Sequence, residues 1–244
     1  MAHTPIDRPA FYALTPGGWR DLVTLLHPPY TAWHLSYVAL GAAAAPTVHA
    51  DRLAAALGGF FLGVGICAHA LDELNGRPLG TRISDSALIA ISALSLAGAI
   101  ALGVVGVVTV GASLIPFIVA GSFIVVGYNL ELFGGRFHSD FWFAAAWGAF
   151  PALTAYWVNA LSIGVAGVLV SLACFSVSVA QRRLSTPVRT LRRRTVSVSG
   201  SQTLAGGEVL PLTKESLAAP LDGALRALAG GMVLLAAGLV IVRL

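Results

Sequence analysis

The chain has 244 residues, 57% of them hydrophobic and only 11% charged, with a formal net charge of +4 and a mean hydropathy of +0.82. That composition exceeds what one soluble core absorbs, so it excludes a soluble domain and implies an all-α, polytopic membrane helix bundle. The basic excess sits mostly between two apolar segments, at Arg182, Arg183, Arg189, Arg192, Arg193, Arg194 and Lys214, a pattern suited to anionic membrane lipids and not to nucleic acid.

The first 29 residues open with "MAHTPIDRPAFYALTPGGWRDL", which is polar and proline-bearing. No apolar stretch precedes a small-residue cleavage site, so residues 1–29 read as a cytoplasmic N-terminal segment and not as a cleaved signal. A spanning helix needs about 20 mostly apolar residues. Seven segments qualify, approximately 30–49, 53–71, 87–105, 108–128, 141–158, 162–180 and 223–242. The joins near Gly106 and Asn159 are short, which makes their flanking helices antiparallel hairpins. The chain thus divides into the N-terminal segment, a six-helix membrane bundle over 30–180, a basic cytoplasmic loop over 181–221, and a seventh helix over 222–244. Within the loop, "RTVSVSG" and "GGEVLPL" alternate apolar and polar residues around a glycine-rich turn, as a short hairpin does, and "LTKESLAAPL" predicts a brief helix capped by Thr213.

Cytoplasmic loops retain Lys and Arg. With the N-terminus inside, all but Arg52 and Arg243 of the 15 basic residues fall on the inner side, which predicts an integral membrane protein with N-terminus cytoplasmic and C-terminus outside. Glycine and alanine runs such as "GAAAAP" and "GGFFLGVG" permit close helix approach in lipid.

Two polar stretches then emerge at the same end. In "AHALDELNGRPLGTRISD", 68–85, His69 lies one turn from Asp72 and Glu73, at i+3 and i+4, so one helix face offers an imidazole and carboxylates. Asn75-Gly76-Arg77-Pro78 breaks the helix, and Arg77 and Arg82 stand within reach of an anion. The bland alternative is a solvated helix end with arginines on lipid phosphate. Intramembrane carboxylates are costly, however, and point to function by default. The second stretch, "YNLELFGGRFHSD", carries Tyr128, Asn129, Glu131, Arg136, His138 and Asp140, with Glu131 and Asp140 flanking a Gly134-Gly135 turn. Tyr128 alternatively anchors at the interface, as aromatic residues do.

Other residues exclude chemistries. Cys67 and Cys174 lie in apolar segments without CxxC spacing, so neither a disulfide framework nor a zinc site is implied. His27, His34 and His49, near the first helix, read as hydrogen-bonded scaffold. The single lysine, Lys214, lies in the loop, which excludes a retinal Schiff base despite seven spans.

The order of these motifs resembles the UbiA superfamily of intramembrane prenyltransferases over roughly residues 22–180. "LLHPPYTAWHLSYVALGAA" is similar to the family's opening, "AHALDELNGRPLGTRIS" occupies the place of its first Asp-rich motif, and "YNLELFGGRFHSDFWFAAAWGAFPALTAYW" resembles its passage from helix four to five. The resemblance implies a UbiA-like fold and transfer of a prenyl group from an isoprenoid diphosphate to a lipid or aromatic acceptor, with Mg2+ as cofactor. It further implies Asp72 and Tyr128 as catalytic residues, and Asn75, Arg77, Arg82, Asn129 and Arg136 at the substrate. His69, Asp72, Glu73, Glu131 and Asp140 are the implied metal ligands. The chain departs from the pattern in two places. Ala68 and Gly76 stand at the outer positions of the first Asp-rich motif, and "AQRRLSTPVRTLRRR" replaces the second. Three readings therefore stand side by side: a divergent prenyltransferase, a UbiA-like protein that binds an isoprenoid or other lipid without catalysis, and an unrelated membrane enzyme with His69, Asp72, Glu73, Glu131, His138 and Asp140 as mixed metal ligands.

Overall fold

Prolines and glycines punctuate the apolar runs and set where each helix starts and stops. A computed structural model describes residues 8–244; residues 1–7 of the expected N-terminal segment lie outside the described residues. A short α1 (Trp19–Leu25) leads to α2 (Pro28–Ala44), which opens on two prolines whose missing N–H groups cost nothing in a first turn, and ends just before Pro46. Then follow α3 (Ala50–Leu74), α4 (Asp85–Val110), α5 (Ala112–Asn129), α6 (140–160) and α7 (Val165–Arg193). A hairpin of β1 (Ser201–Thr203) and β2 (Val209–Pro211) precedes α8 (Lys214–Arg243), with Gln202 opposite Leu210.

Among the described residues, five helices are long and apolar enough to cross a membrane: α3, α4, α5, α7 and α8. Each is at most 39% buried over its apolar window, so most of its surface faces outward, as a lipid-facing helix must. The other two segments expected to span, now α2 and α6, form the middle of the bundle. Trp33 and Tyr37 of α2 and Ala152 and Ala155 of α6 have no exposed surface. Trp33, Tyr37 and Ala152 pack with Cys174 of α7 and Leu225 of α8 in one core, and Ala155 packs with Val38, Ala42 and Leu53 in another. A helix wrapped by protein tolerates Ser, Thr, His and Asn, which lowers its hydropathy.

Three boundaries differ from the expected ones. The turn between α4 and α5 lies at Gly111, with φ of 104°, and not at Gly106, which is helical. Helix α7 continues to Arg193, so five of the basic residues expected in a loop are helical. Its extension is amphipathic and buries Val188 in the core beside Leu225 of α8, which stabilises a polar segment that hydropathy alone would end. The brief helix after Thr213 is the first turns of α8. Thr213 caps it through a reciprocal box with Ser216.

Arginine contacts mark the two ends of the bundle. Arg52 donates to the Val158 carbonyl and Arg243 to those of Ala45 and Pro46, at one end. At the other, Arg192 pairs with Asp222 at 2.5 Å and donates to the Arg8 carbonyl. The candidate site lies at this second end.

Candidate functional site

Helices α3 and α6 both widen where they meet. Phe61–Ala68 and Ala145–Ala149 are π-helical, a geometry concentrated at functional sites. An imidazole reaches a carbonyl in each stretch: His69 Nδ1 donates to Gly65 O at 3.0 Å and His34 Nδ1 to Trp147 O at 2.9 Å. Because a carbonyl only accepts, each of these rings carries a proton on Nδ1.

His27 completes a histidine group. It precedes Pro28 with φ of 45° and ψ of 55°, left-handed backbone that costs a residue with a Cβ about 1–3 kcal/mol and persists only where the surroundings hold it. Its ring stacks on that of His69, with centroids 4.1 Å apart and planes 11° from parallel. The Tyr12 hydroxyl lies 2.6 Å from His27 Nδ1. Burial, then the His69, Arg193 and Arg189 charges, hold the His27 pKa well below its ordinary value, and burial above all pushes the Tyr12 phenol well above its own. The phenol therefore donates to a neutral imidazole. The remaining His27 proton sits on Nε2, which is buried and has no partner among the described residues.

These groups line a polar cavity of about 890 Å3, bounded by α2, α3, the end of α5, the extension of α7 and the segment before α1. Of the expected site residues, His69, Asp72, Asn75, Arg77, Tyr128, Asn129 and Glu131 line it, and so does His138. Tyr128 is 5% exposed, stacks on His138 at 4.5 Å and meets Trp147 edge-on, and its hydroxyl has no partner among the described residues. Buried polar atoms are normally satisfied, so the ones in this lining without a partner among the described residues, His27 Nε2, the Tyr128 hydroxyl, Gln181 Oε1 and Asp222 Oδ1, call for a ligand or ordered water. Asn75 Nδ2 donates to the Asn129 carbonyl at 3.1 Å and ties the two polar stretches together.

The rest of the expected set goes elsewhere. Glu73 is fully buried beneath the loop that follows α3. Its Oε2 accepts from Leu79 N, and its Oε1 from Thr81 N and Oγ1, at 2.8–2.9 Å. It shapes that loop and has no room for an ion. Arg77 faces the cavity but is committed to Asp85 and the Ile83 carbonyl. Arg82 and Arg136 are exposed and outside the lining; the Arg82 amide instead meets Asp21, a buried carboxylate that also accepts from Gly17. Asp140 pairs with Arg182 at 2.8 Å and is itself largely exposed. Among the described residues no three His, Cys, Asp or Glu side chains group closely enough to hold a metal ion. Magnesium demands near-octahedral oxygen ligands, and this donor set does not fit it.

What the cavity offers instead is arginine. Arg182, Arg189 and Arg193 stand at i, i+7 and i+11 on α7, a spacing that keeps them on one face, and all three line the cavity opposite Asp72. Arg192 is consumed by Asp222. Arg189 donates only to Thr186 Oγ1 and makes no ion pair among the described residues. Reading 181–221 as a loop hid this face, although the spacing alone would have shown it.

A second cavity, about 310 Å3 and mostly apolar, opens between α3, α4, α5 and α6. Gly59, Gly63, Ala99, Gly103 and Gly121 make it possible by leaving room between helices. Val64 and Trp147 line both cavities, so the polar chamber and the apolar groove share a wall. From Val64 the groove follows α3 back to Arg52, a rise of about 18 Å at 1.5 Å per residue. Neither a family model, nor a curated protein, nor a solved structure matches the chain.

Proposed function

We propose that the chain is a divergent UbiA-like membrane prenyltransferase, one that takes an isoprenoid diphosphate with its headgroup in the polar cavity and its tail in the apolar groove. The observation that carries this reading is the shared wall of Val64 and Trp147, which sets an arginine-lined chamber directly against an apolar slot. An amphiphile with an anionic head matches both halves. The resemblance in the residues from 22 to 180 supplies the isoprenoid class.

In this reading the allylic C–O bond breaks with its electron pair leaving on the diphosphate, whose charge the α7 guanidinium groups stabilise. The allylic carbon bonds to a nucleophilic acceptor, lipid or aromatic, and the acceptor gives up its proton to Asp72. The ring of Tyr128 lies beside the reacting carbon and favours developing positive charge through its face. All seven long helices span, with α2 and α6 inside, and the cavity opens to the cytoplasm. The exposed Arg183, outside the cavity lining, meets anionic headgroups.

Purified chain incubated with a radiolabelled prenyl diphosphate and membrane lipid should release diphosphate and form a prenylated product. Asp72→Asn should bind the donor yet reduce turnover by about 100-fold or more, the scale of a lost general base. Equal turnover in Asp72→Asn and wild type would remove Asp72 from the chemistry. A second reading, binding without catalysis, is favoured by the lack of grouped metal ligands; it predicts donor binding with no release of diphosphate in either protein.

A further inference from the structure

Six arginines line the cavity, Arg77, Arg182, Arg189, Arg192, Arg193 and Arg194, against three carboxylates, Asp72, Glu131 and Asp222. Arg77 and Arg192 have carboxylate partners of their own, and Arg182 spends its Nε on Asp140. The exposed Arg193 spends its Nε on the Pro9 carbonyl, and among the described residues Arg189 has Thr186 alone. Arg189 is half-buried, and a guanidinium so placed without a carboxylate is expensive to hold unless an anion completes it. In the same lining the Tyr128 hydroxyl and His27 Nε2 are buried donors without acceptors among the described residues, and Gln181 Oε1 and Asp222 Oδ1 are buried acceptors without donors. The guanidinium groups and the two donors ask for acceptor oxygen.

The opposite wall cannot supply a metal. Of the carboxylates in the lining, Asp222 is paired with Arg192 and Glu131 lies beside His138, which leaves Asp72; Glu73 is saturated by the loop amides and Asp140 is drawn outward to Arg182. An arginine fork matches phosphate oxygens in pairs, which a metal ion otherwise bridges. We infer that Arg189 and Arg193, flanked by Arg182, bind the diphosphate headgroup directly, so that this chain recognises its donor without a divalent cation. The inference rests on the reading of the cavity as a diphosphate site and replaces the metal that the resemblance implies.

The test measures binding of geranylgeranyl S-thiolodiphosphate, a donor that cannot react, to the full chain in nanodiscs. Titrations run in EDTA and in excess Mg2+, with Arg189→Gln and Arg193→Gln beside wild type and the helical content of each checked. The two cation conditions should agree within about twofold. Each arginine variant should lose about tenfold or more, as removal of a charge-assisted hydrogen bond does. Inorganic pyrophosphate should displace the probe, and raising the anionic lipid content of the disc should not. Affinity that rises tenfold or more with Mg2+ and disappears in EDTA would overturn direct recognition while leaving the diphosphate site in place. Displacement by anionic lipid alone would reassign the arginines to a lipid headgroup. Failure of the folded wild type to bind in either condition would overturn the functional reading itself, and full binding by both folded variants would overturn the assignment of the arginines.

Discussion

His27 combines a left-handed backbone, a stacked neighbour and a hydroxyl partner, and it stays neutral because burial opposes its charge. The sign of the linkage follows. Above the ordinary imidazole value of 6.5 neither folded nor unfolded His27 is protonated, so nothing is lost. As pH falls below that value the unfolded chain takes up a proton that the folded one refuses, and stability declines. Tyr12 acts in the opposite window: below its ordinary value of 10.0 its phenol is intact in both states, and stability falls as pH rises beyond. The pair should therefore be most stable between these limits. Thermal midpoints in detergent should drop between pH 7 and pH 5 for wild type, and less steeply for His27→Asn, which tolerates the left-handed backbone. Equal slopes would show that His27 is not the group responsible. Sequence alone assigned His27 to the scaffold, since nothing in "LHPPY" announces a stack with a residue 42 positions later. Asp72 was legible because a carboxylate one turn from His69 inside an apolar run has few bland explanations. Glu73 was misread because a loop that folds back over it is a tertiary fact.

Helices α2 and α6 touch backbone to backbone. A Cβ on Gly41 would overlap the Ala152 carbonyl oxygen, and one on Gly148 would lie 2.7 Å from the Cys174 carbonyl oxygen of α7. Neither neighbour is the end of a flexible side chain, so the helices themselves must separate. Gly41→Val should cost about 3 kcal/mol or more, at or above the usual range for overpacking, and should lower the thermal midpoint clearly. Gly238→Val, which meets nothing within 4 Å, is the control and should fold like wild type. Equal behaviour of the two would contradict the close α2–α6 contact. The helices were readable from apolar runs because lipid demands them. Their ends were read less well where polarity and packing disagree: hydropathy ended α7 at 180, but an amphipathic face carries it to Arg193.

For the molecule as a whole, the arginines at the cavity end contrast with Arg52 and Arg243 at the other. A tag at Gly200, in the exposed segment beside the hairpin, should escape membrane-impermeant reagents in intact cells and become labelled on permeabilisation. Labelling without permeabilisation would invert the topology and place the cavity outside. The hairpin was legible as alternation, though its first strand forms at Ser201–Thr203, just beyond the stretch that alternates. The adjacent cavities were not legible, because a groove left by glycines depends on how four helices pack. The central claim is that one amphiphile occupies both cavities, and photolabelling tests it most directly. A prenyl diphosphate with a diazirine at the tail end, irradiated on the purified chain, should attach within α4 or α5 along the groove, near Gly103, Ile118 or Gly121, and inorganic pyrophosphate should suppress it. Attachment confined to the outer faces of α7 and α8, unaffected by pyrophosphate, would contradict the account.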